Sequence, residues 1–266
     1  MNRKKKVAPT HLLCKVSVAV VRKLADSKTE ILSQMLFGEV ATILSIKNKH
    51  WMRIQCEWDG QIGWVDPKQF IKLSEDEYNQ CLSNRAVAFE VFQPITFGDL
   101  SFPILIGSTL PRYDGMTFKM YKEKCVYSGQ VISPEQIEIS PELVLKVAKK
   151  YLHAPELVGG RSPFGIDSAG LIQCAFKVFG IQLPRLAEDQ ATHGELVDFV
   201  DASKIGDLAF FESKSGKIDH VGLILEDRQI LHASGTVRID KIDHFGIYHY
   251  GKRSYTHVLR FIKRLV

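Results

Sequence analysis

The chain has 266 residues, of which 45% are hydrophobic and 24% charged, and its formal net charge is +5. This composition is typical of an ordinary globular protein of one to three domains and excludes disordered or fibrous classes. The mild basic excess includes the run NRKKK at residues 2–6. It indicates a disordered tail over residues 1–10 rather than a nucleic-acid-binding arm, which needs interleaved aromatic residues.

The lack of a recognisable targeting signal and the spacing of the cysteines predict an intracellular protein. No apolar run reaches the roughly 20 residues that cross a bilayer, and the basic start is not followed by a signal-peptide core. The five cysteines are odd in number, scattered and without a CxxC pair; they are Cys14, Cys56, Cys81, Cys125 and Cys174. We therefore expect thiols in a reducing, cytoplasmic setting, with no disulfide, no zinc site and no membrane contact.

Residues 16–70 show short alternating runs separated by turn signals, including Phe37-Gly38 and Asp59-Gly60, which predicts a small β-barrel. The three tryptophans, Trp51, Trp58 and Trp64, lie within this segment. Their pattern favours the barrel core over a ligand platform. A linker helix is predicted over residues 76–84, and a second β-rich block, punctuated by glycine and proline, over 85–135.

The pattern changes at residue 140. Ser140 followed by Pro141 predicts a helix start, and apolar residues then recur at helical spacing. A second helix is predicted over 168–179, ending at Gly180. From residue 207 onward the segments are strand-like, so the last part of the chain is predicted to be an α+β domain.

The start of the second helix is where nucleophilic chemistry is expected. Asp167 caps the helix, and Ser168 lies in its first turn at the positive end of the helix dipole. A cysteine in that position has a lowered thiol pKa, and cysteine hydrolases pair it with a histidine base that a second polar residue orients. His220 and His232 lie on two successive predicted strands and are the candidates for these roles.

Three segments carry a family resemblance. GDLAFFESKSGKIDHVGLILEDRQILHASGTVRID (206–240) resembles the core of the NlpC/P60 family of papain-like cell-wall peptidases. GGRSPFGIDSAGLIQCAFKVFGIQLPR (159–185) resembles that family's nucleophile helix, and SQMLFGE (33–39) and DGQIGWV (59–65) resemble its bacterial SH3 domains. The resemblance implies an α+β, papain-like NlpC/P60 domain at 140–266. Two small SH3-like β-barrels precede it, at 1–75 and, with the linker helix, at 76–139.

The resemblance also implies an activity and its residues. The family hydrolyses the γ-D-glutamyl–L-diamino-acid bond of murein peptides that begin with L-Ala, without a cofactor. By position, His220 is the base and His232 the orienting residue. Asp167-Ser168-Ala169 stands where the family has Asp-Cys-Ser, with Asp167 contacting the free amine of the substrate. We expect Ser168 to hydrogen-bond His220 in a monomeric protein whose cleft lies between the first and third domains.

Other positions of the implied substrate site also depart from the family pattern. Glu156 and Val158 replace a tyrosine and a tryptophan, Leu186-Ala187 replaces an acidic or hydroxyl pair, and Gln61 replaces an aromatic residue. An engineered Cys-to-Ser change would explain the serine alone. Natural decay of the site explains all of these departures together and is the interpretation we favour.

Several functional alternatives stay open. The chain is either a catalytically weak murein-peptide hydrolase, with Ser168 retaining at most residual activity, or a pseudoenzyme that binds a peptide or a protein partner without cutting it. Cys174 cannot replace the nucleophile because it lies about 240° around the helix from Ser168, and it is predicted to be a buried apolar residue. His220 and His232 alone make a poor metal site, so no metal is predicted.

Overall fold

The computed structural model describes residues 10–83, 85–120 and 123–266, and the chain divides into two compact units, residues 1–133 and 134–266. The predicted basic tail lies almost entirely outside the described residues. The division falls after residue 133. The three domains expected from the sequence, with boundaries after 75 and 139, stay a prediction.

The first barrel of the N-terminal unit is a seven-stranded antiparallel sheet. Its strands are β1 (His11–Cys14), β2 (Val18–Arg22), β3 (Ile31–Leu36), β4 (Val40–Asn48), β5 (Trp51–Cys56), β6 (Ile62–Val65) and β7 (Phe70–Leu73). They are ordered β3-β2-β6-β5-β4-β1-β7. Alternate residues face a core that includes Leu12, Val21 and Ile54, as expected for strands with one buried face.

The tryptophan prediction is wrong. Trp51, Trp58 and Trp64 are all only partly buried, and none of them belongs to the core that packs inside the sheet, whose larger members include Met35, Met52 and Phe70. The strand pattern around the tryptophans gave the sheet correctly, but it did not show which face the rings occupy. Strand alternation carries no such information when both faces hold large residues.

Helix α1 (Glu75–Leu82) joins this barrel to a second β-rich block. It begins at Ser74 with a reciprocal capping box to Glu77, a strong local start signal. The block contains β8 (Arg85–Ala88), β9 (Phe92–Phe97), β10 (Leu100–Leu105), β11 (Thr109–Pro111), β12 (Thr117–Met120), β13 (Glu123–Tyr127) and β14 (Val131–Ile132). They form two small sheets, β10-β9-β13-β12 and β11-β8-β14.

The two barrels of this unit are packed together at the turn between β3 and β4. Phe37 lies in the core of the second barrel, and its carbonyl accepts a hydrogen bond from the Thr109 amide at 2.8 Å. Gly38 has φ +77°, and a Cβ there would lie 1.8 Å from the Thr109 carbonyl oxygen. Only glycine fits such a left-handed position under close backbone contact.

The C-terminal unit begins with its helices. They are α2 (Pro141–Lys149), α3 (Ser168–Lys177) and the single turn α4 (Ala187–Gln190), with the short hairpin of β15 (Arg161–Ser162) and β16 (Gly165–Ile166) before α3. The predicted starts are confirmed: Ser140 caps α2 and Asp167 caps α3. Gly180, with φ +80°, follows α3 as predicted.

The strands of this unit close into a barrel. They are β17 (Glu195–Val197), β18 (Leu208–Glu212), β19 (Ile218–Ile224), β20 (Gln229–Ser234), β21 (Thr236–Asp243), β22 (Gly246–His249) and β23 (Ser254–Arg264). The sheet order is β17-β23-β18-β19-β20-β21-β22, and β22 also pairs with β23. That extra pairing makes β18–β23 a closed six-stranded ring, which leaves no unpaired edge among them.

One face of the ring carries a core that includes Phe211, Ile224 and Ile230. Because side chains alternate along a strand, His220 shares this face with Ile224, and His232 shares it with Ile230. The polar site described below therefore continues from an apolar barrel core. Among the described residues, no helix is long and apolar enough to cross a membrane.

Candidate functional site

Helix α3 begins at a tightly packed loop. Ser168 is its first residue and is 6% exposed. A Cβ on Gly170 would lie 2.3 Å from the Gly160 carbonyl oxygen, and one on Gly160 would lie 2.3 Å from that of Gly165. Both glycines are therefore required for the loop to approach the first turn of the helix. The helix itself packs against β19 and β20.

The carboxylate of Asp167 has four donors. Oδ1 accepts from the Gly170 amide at 2.7 Å and from Arg185 Nη1 at 3.0 Å. Oδ2 accepts from the Gly159 amide at 2.7 Å and from Arg185 Nη2 at 2.6 Å. The Arg185 side chain is 3% exposed, so this is a buried, bidentate, charge-assisted pair.

These contacts bear on the predicted amine ligand. A carboxylate offers about four lone-pair sites, and each oxygen of Asp167 already accepts two hydrogen bonds. The helix cap is formed as predicted. A substrate amine at Asp167 would have to displace one of the present donors, so the amine-binding role stays a prediction.

A line of polar side chains runs across β19, β20 and β21. His220 Nε2 lies 2.9 Å from His232 Nδ1, and His232 Nε2 lies 3.1 Å from Asp240 Oδ2. Arg238 Nη2 donates to Asp240 Oδ1 at 2.8 Å, and its Nε lies 2.7 Å from Oδ2. All three inner members, His220, His232 and Asp240, are buried. The structure thus brings together the two predicted histidines, and it adds an acidic residue that the sequence interpretation missed.

Asp240 determines which histidine nitrogens carry protons. Burial opposes ionisation of Asp240, but hydrogen bonds from His232 and Arg238 outweigh it and lower its pKa to about 2. The carboxylate therefore accepts, so His232 carries its proton on Nε2 and accepts at Nδ1. His220 must then donate from Nε2, which leaves Nδ1 as a bare lone pair. A neutral imidazole with a bare nitrogen is the form that a general base requires.

A third histidine, His257 on β23, also belongs to this cluster. Its ring stacks on His220 with centroids 4.1 Å apart and meets His232 edge-on at 5.5 Å. Burial, reinforced by His257 and His232, lowers the pKa of His220 well below 6.5. Burial and then His232 lower that of His257 to about 4. Both rings are neutral at pH 7, and nothing in the local sequence THVLRF marked His257 in advance.

Ser168 and His220 do not form the expected hydrogen bond: within residues 10–83, 85–120 and 123–266, none joins the two side chains. Helix α3 and strand β19, which carry them, are nonetheless packed against each other. The nucleophile and base roles stay a prediction. Cys174 is fully buried, as predicted, and its thiol donates to the Arg161 carbonyl at 3.4 Å.

The positions that depart from the family pattern have different surroundings. Glu156 Oε2 accepts from the Gly235 amide at 2.6 Å, and the Glu156 amide donates to the Gly235 carbonyl at 3.0 Å. Its carboxylate therefore holds the turn between β20 and β21, a role the sequence did not suggest. Val158 and Leu186 are 76% and 53% exposed. Val158 precedes Gly159 and Leu186 follows Arg185, and both of these neighbours donate hydrogen bonds to the Asp167 carboxylate.

The remaining predicted site residues are buried or remote in sequence. Ala169 and Ala187 are each 6% exposed, and Gln190 Nε2 bonds the Ala169 carbonyl at 3.0 Å, which ties α4 to α3. Gln61 lies in the other compact unit, where its side chain donates to the Ile62 carbonyl. Its part in a shared cleft stays a prediction.

We expect Asp240→Asn to disturb the histidine line without unfolding the barrel. Asparagine is neutral and has a single acceptor oxygen, so it cannot accept hydrogen bonds from His232 and Arg238 as the two carboxylate oxygens do. His232 therefore loses the charge that fixes its tautomer. Long-range ¹H–¹⁵N spectra of the imidazoles should show one dominant His232 tautomer in the parent chain and a mixture in the variant. Asp243→Asn, on the same strand but bonded to Tyr255, is the control. An unchanged His232 spectrum in Asp240→Asn would contradict the tautomer assignment.

The sequence is similar to those of known families and proteins. Residues 155–260 match the NlpC/P60 family model, and residues 21–70 match that of the bacterial dipeptidyl-peptidase Sh3 domain. The chain is 27% identical to the gamma-D-glutamyl-L-lysine dipeptidyl-peptidase of Bacillus subtilis, over 77% of this chain and 73% of that protein. It is 28% identical to the gamma-DL-glutamyl hydrolase of the same organism, over 90% of this chain but 63% of that protein.

Solved structures show the same fold. An NlpC/P60 family protein from Bacillus cereus superposes with a TM-score of 0.81 at 18% identity, covering 96% of this chain and 99% of that one. An NlpC/P60 endopeptidase from Photobacterium damselae gives a TM-score of 0.71 at 16% identity, over 95% of this chain and 70% of that one. At these identities the likeness speaks for the fold alone.

Proposed function

Because the chain carries an NlpC/P60 domain together with a bacterial SH3 domain, as do hydrolases of peptidoglycan peptides, we propose that it binds murein-derived peptides. The proposed ligand begins with L-Ala-γ-D-Glu and continues with a diamino acid. The proposed reaction is hydrolysis of the γ-D-glutamyl bond, in which water is added and the dipeptide L-Ala-D-Glu and the free diamino acid are released.

One observation carries this proposal: the line from His220 through His232 to Asp240, which leaves His220 Nδ1 bare on a strand packed against α3. That arrangement suits a base serving a nucleophile at the helix start. The names of two relatives, which are glutamyl-bond hydrolases, support the substrate class.

The serine is the reason to expect a slow reaction. A helix N-terminus and a neighbouring imidazole lower the pKa of a thiol enough for it to ionise near pH 7. The pKa of an alcohol is too high for the same surroundings to ionise it. Ser168 therefore depends on full proton transfer to His220 during attack and on an oxyanion hole tuned for it. We propose that hydrolysis by this chain is weak or absent while peptide binding remains.

Two alternatives use the same site differently. In the first, the chain is a pseudoenzyme that binds a peptide or a protein partner without cutting it; the exposed Val158 and Leu186 favour this because they present apolar surface beside Asp167. In the second, serine replaces a native cysteine by engineering, and the unaltered protein is an active peptidase. The codon at position 168 of the native gene separates the second alternative from the others.

The test uses the peptide L-Ala-γ-D-Glu-L-Lys. Calorimetry measures its binding, and chromatographic detection of released lysine measures its turnover. We expect measurable binding with lysine release that is very slow and that is abolished in Ser168→Ala. The N-acetylated peptide is the matched control and should bind more weakly if the free amine is recognised. The absence of both binding and cleavage would contradict the proposed ligand class.

A further inference from the structure

Three imidazoles converge at one end of the C-terminal barrel. His220, His232 and His257 each offer a ring nitrogen, and these atoms all lie within 4.8 Å of one another. They come from β19, β20 and β23, which are fixed in one closed sheet. The first two rings are buried, and the third is partly buried. The sequence interpretation included only His220 and His232 and therefore predicted no metal site.

The ring separations are close to those of a tetrahedral metal centre. Three imidazoles bound to one Zn²⁺ at about 2.0–2.1 Å place their ring centroids about 5 Å apart. The observed separations are 5.1 Å for His220–His232, 5.5 Å for His232–His257 and 4.1 Å for His220–His257. Two pairs already fit. The His220 and His257 rings are stacked at an interplanar angle of 26°, so the partly buried His257 ring must tilt away from His220 as well as move by about 1 Å to direct its lone pair at a shared ion.

Outer hydrogen bonds fix two of the three rings as ligands. His232 Nε2 is held by Asp240, so Nδ1 presents its lone pair. Thr256 Oγ1 lies 2.9 Å from His257 Nδ1 and donates its own proton to the Ile247 carbonyl at 3.4 Å. When the hydroxyl proton points to Ile247, His257 Nδ1 donates to Thr256 and Nε2 is bare; this is the tautomer that metal binding requires. Partners of this kind orient metal-binding histidines and set their tautomers.

His220 requires one proton to move. In the metal-free chain its Nε2–H donates to His232 Nδ1, so the ligand atom is still protonated. Metal binding shifts that proton to His220 Nδ1, and Nε2 becomes a ligand in a ring that stays neutral. The hydrogen bond between the two histidines breaks, two metal–nitrogen bonds replace it, and no proton is released overall.

We propose that His220, His232 and His257 bind one divalent transition-metal ion of the Zn²⁺ or Co²⁺ class, with a fourth position open to water. Neutral imidazole ligands select such ions over Ca²⁺ and Mg²⁺, which require oxygen ligands. Asp240 is already neutralised by Arg238 and acts on the ion only through His232. The inference goes beyond the proposed function, because a metal bound at His220 Nε2 would leave Nδ1 protonated and so remove the lone pair that the proposed function assigns to the proton of Ser168.

The experiment uses the full chain, freed of metal with a chelator. Co²⁺ is titrated and followed by the visible absorption bands of four- or five-coordinate cobalt, and Zn²⁺ is titrated by calorimetry. We expect one equivalent of each to bind, with Zn²⁺ displacing Co²⁺. His257→Ala should abolish this binding, and Asp240→Asn should weaken it about 10–100-fold. His193→Ala, which removes an exposed histidine of the same unit, should change nothing.

Two further variants serve as controls, one for folding and one for the proposed hydrolase function. His257→Gln keeps side-chain volume and serves if His257→Ala loses its circular-dichroism spectrum. Ser168→Ala should bind metal as the parent does, because Ser168 is not a ligand, so a failure of the hydrolase proposal leaves this result intact. Absent binding, or equal stoichiometry in the parent, His257→Ala and His257→Gln, would overturn the inference.

Discussion

Replacing Ser168 with cysteine is expected to create a thiol that iodoacetamide alkylates at pH 7 at least about tenfold faster than any native cysteine of the folded chain. The reason is position: the first residue of α3 lies at the positive end of the helix dipole, and α3 packs against the strand of His220. The helix dipole stabilises a thiolate, and the neutral His220 ring is available to take up the thiol proton. The measurement is the labelling rate of each cysteine-containing peptide by mass spectrometry.

The native cysteines give a low background for this experiment. Cys14, Cys56, Cys125 and Cys174 are buried, and only Cys81 is partly exposed. Burial, with a contribution from Glu77, raises the pKa of Cys81 to about 11. Roughly one molecule in ten thousand therefore has an ionised Cys81 at pH 7. If the cysteine at 168 reacts no faster than Cys81, the activating environment is not present.

Peptide hydrolysis is expected to recover only in part. Leu186 and Ala187 offer no side-chain hydrogen bonds where the family resemblance implies polar groups. A substrate polar group left unpaired costs about 1–3 kcal/mol. Two such losses lower kcat/KM about a hundredfold or more. The comparison is kcat/KM of Ser168→Cys on L-Ala-γ-D-Glu-L-Lys beside an intact family peptidase. Equal activity would show that only the nucleophile was missing and would favour an engineered serine.

Sequence patterns succeeded where the relevant physics is local. Ser140-Pro141, Asp167 and Gly180 mark helix ends through hydrogen bonds and φ angles within a few residues, and all three features are found in the structure. His220 and His232 were paired correctly because their strands are consecutive and hairpin-connected. The resemblance supplied the fold of the whole chain, which periodicity alone indicated only as an α+β domain behind small β-barrels.

The missed residues depend on contacts between distant parts of the chain. Asp240 reads as one polar position in an alternating strand, and only the register of β21 against β20 places it beside His232. His257 enters the site because β22 and β23 pair and close the barrel, which no pattern in that segment predicts. Glu156 was read as a substrate wall, but its partner, the Gly235 amide, lies 79 residues further along the chain.

The largest stability effect is expected from Asp167→Ala. The change removes the N-cap of α3, which costs about 0.5–2 kcal/mol. It also leaves Arg185 charged, 3% exposed and without its carboxylate; breaking one side of a buried pair costs about 3–5 kcal/mol. We expect the free energy of unfolding of the C-terminal unit to fall by about 4 kcal/mol. Asp201→Ala, which breaks an exposed pair with Arg228, should cost at most about 1 kcal/mol.

The probe must report on the correct unit. All three tryptophans lie in residues 51–64, so tryptophan fluorescence does not observe α3. Labelling of the buried Cys174 across a urea series, read by mass spectrometry, reports the opening of that helix directly. Loss of protection at clearly lower urea in Asp167→Ala, with Asp201→Ala unchanged, is the expected result.

A double variant separates the charge from the cap. If most of the loss comes from the stranded guanidinium, Asp167→Ala combined with Arg185→Met should be more stable than Asp167→Ala alone, because removing both charges spares the buried ion its desolvation. The cap remains missing in the double variant, so recovery should stop about 1 kcal/mol short of the parent chain. The single variant Arg185→Met completes the comparison. If the stability losses of the two single variants simply add in the double variant, Arg185 stabilises the loop chiefly through its bond to the Gly160 carbonyl.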